Sequence, residues 1–203
     1  MGTTNPKHLL SKIIDLNDHN SYSEFFDYYY PRLFRFSLNY VKLPTAAEEV
    51  VSDVLYNLLK SRKKYENLNA YLYHAVKNRS LSWLRDQKKM QKHQGIEESE
   101  DFLLYEVDDN LIFTDGSDLK IQFENALKQL PKQRQLVFRL IREDGLSPFE
   151  VADLLDISVR TIEKHMQLSI KDLCIMLKEY IKDQRHHSKV RKIFPRNFLF
   201  SLF

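Results

Sequence analysis

A chain of 203 residues with a formal net charge of +3 has room for one large domain or two small ones. Its single cysteine, Cys174, excludes an intrachain disulfide and any zinc site built from cysteines, and no apolar run approaches the roughly 20 residues of a membrane span. Glycine is scarce while Leu, Lys, Glu and Gln abound, so the expected fold class is all-α, because those residues lose little rotamer freedom in a helix.

Met1 to Asn20 is polar and charged and shows no apolar core of a signal peptide; with the lone cysteine, this points to a cytoplasmic protein. Residues 20–92 read as one helical domain. In its first segment Phe25, Phe26, Tyr29, Leu33, Phe36 and Tyr40 recur at three- and four-residue spacings, a helical core stripe that Pro31 is expected to kink or interrupt. Thr45 with Glu48 fits a capping box that opens a helix buried through Val50, Val51, Val54, Leu55, Leu58 and Leu59. Its other face carries Glu49, Asp53 and Asn57, four residues apart. A third helix is expected from about Leu68 to Lys89, with Leu72, Ala75, Val76 and Leu84 as its apolar residues.

Residues 93–117 lack sustained periodicity and are read as a flexible linker, with one short helical turn near Phe102–Tyr105. Residues 118–180 form a second small helical domain. Leu119–Leu130 is amphipathic through Phe123, Ala126, Leu127 and Leu130. Pro131 suits the first turn of the next helix, which packs through Val137, Phe138, Leu140 and Ile141 and stops at Gly145. Ser147–Pro148–Phe149–Glu150 is a helix start: cap, proline at the first helical position, and capping-box Glu. The short helix carries Val151, Ala152, Leu154 and Leu155; a turn at Asp156–Ile157 follows, and Ser158 caps a long last helix through Val159, Ile162, Met166, Ile170, Leu173 and Leu177. Residues 181–203 are a basic and then apolar tail, read as disordered.

Charge is arranged in blocks. Lys60–Lys92 holds ten basic residues and two acids, whereas Glu97–Asp118 holds nine acids and no Lys or Arg. A basic block followed by an acidic one suggests a polyanion-binding module and a linker of different purpose. Within the basic block stand Tyr65, Asn67, Asn69, Tyr71, Tyr73, Asn78, Arg79 and Trp83. Cations hold phosphates, rings stack on unpaired bases and amides read base edges, so this mixture suits single-stranded DNA; the alternative for Tyr73 and Trp83 is that they are simply core.

The two helices around Asp156–Ile157 make a helix-turn-helix pattern. Ala152 is small where the helices must cross, Asp156 tolerates a left-handed turn, and Ile157 and Ile162 fill the angle between them. After the Ser158 cap, Arg160, Thr161, Lys164, Gln167 and Lys171 stand off the apolar stripe. The N-terminal residues of such a helix reach base edges in the major groove. Arg and Gln can pair with bases in bidentate fashion, and Lys supplies charge. Two packed helices with a solvated face would give much the same pattern.

The stretches AEEVVSDVLYNLLK, AYLYHAVKNRSLSWLR and LPKQRQLVFRLIREDGLSPFEVADLLDISVRTIEKHM, in this order, resemble the extracytoplasmic-function (ECF) sigma factors of the sigma-70 family. The resemblance covers about residues 20–178, and YLYHAVKNR is similar to a form common in Bacteroidetes. It implies two domains, sigma region 2 over 20–92 and sigma region 4 over 118–180. It implies a factor that carries RNA polymerase to promoters and initiates transcription of a specific gene set, with no cofactor and no small-molecule substrate. By this resemblance Glu49, Asp53 and Asn57 contact the clamp helices of the polymerase beta-prime subunit. Asn67, Asn69, Tyr71, Asn78, Arg79 and Trp83 read and melt the minus-ten element. Ser158, Arg160, Thr161, Lys164, Gln167 and Lys171 read the minus-thirty-five element. The implied partners are core RNA polymerase, through its clamp helices and beta flap, promoter DNA in duplex and melted form, and an anti-sigma factor that could hold the chain at the inner membrane.

Two other readings compete. Glu48, Glu49 and Asp53 invite a magnesium site, but adjacent residues face different sides of a helix, and no phosphate loop, HExxH or nucleophile motif accompanies them; the expectation is no enzyme. The second is a transcriptional regulator with a sensory or dimerisation domain before its helix-turn-helix. The basic block argues against a purely sensory first domain.

Overall fold

The computed structural model describes residues 6–16, 18–93 and 118–178. The chain divides into two compact units, residues 1–112 and 113–203, and the described residues form eight helices and no strand. The expected helical turn near Phe102–Tyr105 and the tail beyond residue 178 lie outside the described residues.

Unit one contains α1 (Pro6–Leu16), α2 (His19–Val41), α3 (Pro44–Ser61) and α4 (Leu68–His93). The first helix lies within Met1–Asn20, for which the sequence reading assigned no element. Leu9 and Leu10 are buried and Ile13 and Ile14 half-buried, a stripe at one-, three- and four-residue spacings that the surrounding charges disguise. α1 packs on α2. The Asp18 carboxylate caps α2, accepting from the Asn20 N–H at 3.1 Å and the Ser21 hydroxyl at 2.6 Å. α2 then runs without a break through Pro31, contrary to an interruption there. The Arg32 guanidinium donates to the Tyr28 carbonyl and lies 4.1 Å from the centre of the Tyr28 ring, covering the turn that the proline disturbs. Phe25, Tyr29, Leu33 and Phe36 are buried.

α3 begins differently from its expected capping box. Leu43 is the N-cap without a side-chain hydrogen bond, and Pro44 takes the first turn. Proline's fixed φ starts the helix one residue before Thr45. Ala46, Ala47, Val50, Val51, Val54, Leu55 and Leu58 are buried, while Leu59 is half-buried. α4 is tied to α2 by Phe36 against Tyr73, with ring centres 5.0 Å apart, and by the buried hydroxyl pair Ser37–Ser80 at 3.1 Å. Leu68, Leu72 and Val76 are fully buried; Ala75 and Leu84, expected in the core, are half-buried.

Unit two contains α5 (Asp118–Lys128), α6 (Lys132–Arg142), α7 (Pro148–Leu155) and α8 (Val159–Met176). Phe123, Ala126, Leu127, Leu130 and Phe138 pack with Ile170, Leu173, Cys174 and Leu177 in one cluster. Pro131 is the N-cap of α6 rather than its first helical residue. Ile141 is half-buried, and Arg139, which the sequence placed on no face, is 3% exposed. Its guanidinium donates to Glu124 and Glu143, each at 2.7 Å, so the charge is compensated by α5 and by the end of α6 together. Arg134 forms an ion pair with Asp172 that joins α6 to α8. Gly145 holds φ at 73°, the left-handed geometry that glycine takes without a steric penalty. None of the described helices is long and apolar enough to cross a membrane.

Candidate nucleic-acid and polymerase interfaces

The outward side of α3 carries Glu49, Asp53 and Asn57. Glu49 and Asn57 are exposed and Asp53 is half-buried. The two carboxylates are not free acids. Arg79 of α4 reaches across, its Nη2 and Nε donating to Asp53 at 2.6 and 3.0 Å, with Nη2 3.7 Å from Glu49. The stripe is therefore two acids partly neutralised by one guanidinium. Sequence reasoning missed Tyr56, 63% exposed on the same side, with the Lys60 ammonium 5.7 Å from its ring centre. Its signal was its place seven residues beyond Glu49 and four before Lys60, which puts all three on one line of a helix.

The residues assigned to single-stranded DNA fall into two groups. At the start of α4 they hold the helix in place. Asn67 accepts the Ala70 N–H at 3.1 Å, as an N-cap does. Asn69 accepts the Tyr29 hydroxyl at 2.6 Å, pinning α4 to α2. Tyr71 stacks on Tyr65 with ring centres 3.9 Å apart and planes 24° from parallel. The hydrogen bond with Tyr65, then burial, pushes the Tyr71 phenol up to about 12. Further along, Tyr71, Asn78 and Arg85 recur every seven residues and share one line of α4; Asn78 and Arg85 are exposed. Asn78, Leu81, Leu84, Arg85 and Lys88 line an open groove. Trp83 does not join them. It is half-buried and lies on the side of Leu72 and Val76. Tyr73, grouped by sequence with the exposed aromatics, is 2% exposed and is a core residue. The cause is its position four residues after Asn69 on the α2-facing side.

In unit two, α7 and α8 are set by their ends. The Ser147–Glu150 capping box is complete, at 3.3 Å from the Glu150 N–H to the Ser147 hydroxyl and 2.7 Å in return. Asp156 adopts φ 55° and ψ 40°, and the Ile157 N–H donates to the Ala152 carbonyl at 3.1 Å, closing the turn. Val151, Leu154 and Ile162 are fully buried at the crossing, while Ile157 is half-buried. The Ser158 hydroxyl caps α8 by accepting the Thr161 N–H at 3.1 Å and is hydrogen-bonded to the Thr161 hydroxyl at 2.8 Å. Both hydroxyls are thus engaged in the helix start. Arg160, Lys164, Gln167 and Lys171 are exposed, and their spacings of four, three and four residues place them on one line of α8. Phe149, 74% exposed at the second residue of α7, is an apolar surface residue that the sequence reading passed over as part of a cap motif.

Two family models match the chain: Sigma-70 region 2 over residues 25–90 and Sigma-70, region 4 over residues 120–173. No curated protein matches it. Among solved structures it is similar to the sigma factor RpoE from Bartonella quintana, solved in complex with the anti-sigma factor NepR. That likeness has 20% identity and a TM-score of 0.47, over 78% of this chain and 98% of that one. It is also similar to CnrH, solved with the cytosolic domain of CnrY, at 14% identity and a TM-score of 0.43, over 86% of this chain and 99% of that one.

Proposed function

The chain belongs to the sigma-70 family of RNA polymerase sigma factors, and from that premise we propose a division of labour among its helices. Regions 2 and 4 are matched with only residues 91–119 between them, the two-domain arrangement of the ECF type. As a sigma factor it binds core RNA polymerase, recognises promoter DNA and helps to melt it, and starts transcription of a particular gene set. The match to region 2 argues against a sensory or dimerisation domain in the first half.

In this reading residues 20–92 act as region 2 and residues 118–180 as region 4. The α3 stripe of Glu49, Asp53 and Asn57, with Tyr56 added, docks on the clamp helices of beta-prime, where an acidic surface complements a basic partner. The outer line of α4, Tyr71, Asn78 and Arg85, with the Asn67 loop and Arg79, meets the minus-ten element. Asn69 and Trp83 support that surface from its inner side. The line Arg160, Lys164, Gln167 and Lys171 of α8 enters the major groove of the minus-thirty-five element, with Ser158 and Thr161 fixing the start of the helix. An anti-sigma factor and the beta flap are partners in the same reading. The chain acts in the cytoplasm, at the inner membrane when an anti-sigma factor holds it there.

The observation that carries this is the joint match to both regions in one chain whose helix-turn-helix leaves a basic and amide line exposed on α8. The test is run-off transcription with purified core polymerase on genomic fragments. Discrete transcripts that appear only when the chain is added are expected. Core binding should fall sharply in the Glu49→Lys/Asp53→Lys double variant with helicity unchanged. Transcription identical with and without the chain overturns the function, and unchanged core capture by the double variant removes the stripe as the docking surface.

A further inference from the structure

Arg79 stands between two surfaces that the proposed function assigns to different partners. Its guanidinium lies on Asp53 at 2.6 and 3.0 Å and is 3.7 Å from Glu49. Both carboxylates belong to the stripe read as the polymerase-docking surface. Arg79 itself belongs to α4, the helix read as meeting the minus-ten DNA. All three side chains are more than a third exposed, at 37% for Arg79, 45% for Asp53 and 57% for Glu49. A pair open to water is held weakly enough to be exchanged when a competing charge arrives. Its geometry is nevertheless specific, because two nitrogens of one guanidinium converge on one carboxylate oxygen.

We propose that this ion pair is a charge exchange linking polymerase docking to DNA binding, an inference that rests on the assignment of α3 to the polymerase. In the free protein Asp53, aided by Glu49, holds Arg79 and lowers its availability to phosphate. Cations of the polymerase that dock on α3 take over the two carboxylates. Arg79 is then released to a DNA phosphate, where a guanidinium binds in bidentate fashion. No bond is made or broken; one acid partner is exchanged for another. The coupling is reciprocal, as any linkage must be: phosphate bound by Arg79 leaves Asp53 and Glu49 free for the polymerase.

The test uses the full chain and a fluorescent single-stranded oligonucleotide of mixed sequence, with binding measured in the absence of polymerase. Asp53→Asn is expected to tighten DNA binding by about two- to five-fold, the range set by an exposed ion pair. It should also steepen the salt dependence by about 0.7 in log–log slope, one phosphate contact on a single strand. Glu48→Gln removes the same charge five residues away, from an exposed residue on another side of α3, and reports general charge repulsion. It should change the affinity less than Asp53→Asn and leave the slope unchanged. In an Arg79→Gln background Asp53→Asn should give no gain beyond that of Glu48→Gln.

The proposal is overturned if Asp53→Asn gains no more than Glu48→Gln, or if its gain survives Arg79→Gln. Core-polymerase binding by Asp53→Asn, measured in parallel, separates the two levels. Weaker core binding without the DNA gain keeps the docking surface and overturns the exchange. A DNA gain with unchanged core binding overturns both, since the polymerase then does not engage Asp53. Circular dichroism on each variant keeps misfolding from passing as either result.

Discussion

If the line on α8 reads duplex DNA, base selection and charge should separate along its length. Arg160 stands two residues after the Ser158 cap and Lys171 lies eleven residues further on the same line. At a rise of about 1.5 Å per residue the two are about 16 Å apart along the helix axis. The major groove is about 12 Å wide, so a helix whose start reaches the groove floor has left the groove by Lys171 and meets only the backbone there. A guanidinium paired with a guanine edge gives about 1–3 kcal/mol of discrimination, roughly 5- to 150-fold between the right base and a wrong one. Arg160→Ala should therefore flatten the preference at one position of the upstream element. Lys171→Ala should weaken binding to all sequences alike and reduce the salt slope by about 0.9, one duplex phosphate contact. The assay is selection from a randomised upstream element in the presence of core polymerase, with a salt titration of each variant on the selected sequence. Unaltered base preferences for Arg160→Ala would refute base reading by that residue. Preferences altered by Lys171→Ala would refute the geometry, because a side chain outside the groove cannot choose a base.

Three further outcomes follow from single contacts. Tyr56→Ala on the exposed side of α3 should weaken core-polymerase affinity by about ten-fold or more, as loss of a buried aromatic anchor does, and surface plasmon resonance with an unchanged Kd would remove Tyr56 from the docking surface. Arg139→Ala leaves Glu124 and Glu143 without their shared buried cation and should destabilise the second unit by about 3 kcal/mol or more; urea unfolding with a loss below about 1 kcal/mol would show that water reaches the two carboxylates. The Tyr71 phenol, raised from 10.0 to about 12, contributes stability that is complete below pH 10 and is lost as pH climbs through about 12; ultraviolet titration should show a late-ionising component that is lost in Tyr71→Phe and moves to lower pH in Tyr65→Phe, and a component unmoved by Tyr65→Phe would rule out the Tyr65–Tyr71 hydrogen bond as its cause.

Most of the helices were legible because their signals are local. The Ser147–Glu150 box, the Ser158 cap, Asp156 in the left-handed turn and Gly145 at a positive φ are decided by residues within four positions of one another. α1 escaped because Leu9, Leu10, Ile13 and Ile14 are interspersed with charged and polar residues and find a burying surface only in α2. Tyr73 shows the opposite failure. Its aromatic ring in a basic block suggested a DNA surface, but whether a ring faces α2 or solvent is fixed by the phase of α4, which is set by the Asn67 cap and by the hydrogen bond that Asn69 accepts from Tyr29. The pairing of Arg79 with Asp53 could not be read from the chain, since the residues are 26 apart and meet only when α3 packs on α4. Arg139 was hidden similarly: a basic residue in an amphipathic helix reads as solvated unless its acid partners, one of them 15 residues earlier, are known to converge on it.

The two lines proposed to face DNA differ in what their side chains are doing before any DNA arrives. On α8 the cap residues Ser158 and Thr161 are engaged at the helix start and Asp172 pairs with Arg134, while Arg160, Lys164, Gln167 and Lys171 stand exposed on a helix whose opposite face is locked into the core by Ile162, Ile170 and Leu173. Such a surface meets duplex DNA with little rearrangement, and its affinity is limited chiefly by charge and fit. On α4 Asn78 and Arg85 also stand exposed, but the other assigned groups are committed. Asn67 caps the helix, Asn69 holds Tyr29, Tyr71 is stacked on Tyr65, and Arg79 lies on Asp53. Each of these contacts must be kept as support or exchanged for a contact to DNA, and exchange draws on whatever else binds nearby. A ready surface suits an element read as an intact duplex. A surface made of occupied groups suits an element whose strands must first separate, because the protein then offers its stacking and charged groups only when a competing partner and an unpaired base are both present. The consequence is an order of events under the proposed function: region 4 engages promoter DNA as built, and region 2 engages it through contacts first released at the α3–α4 seam.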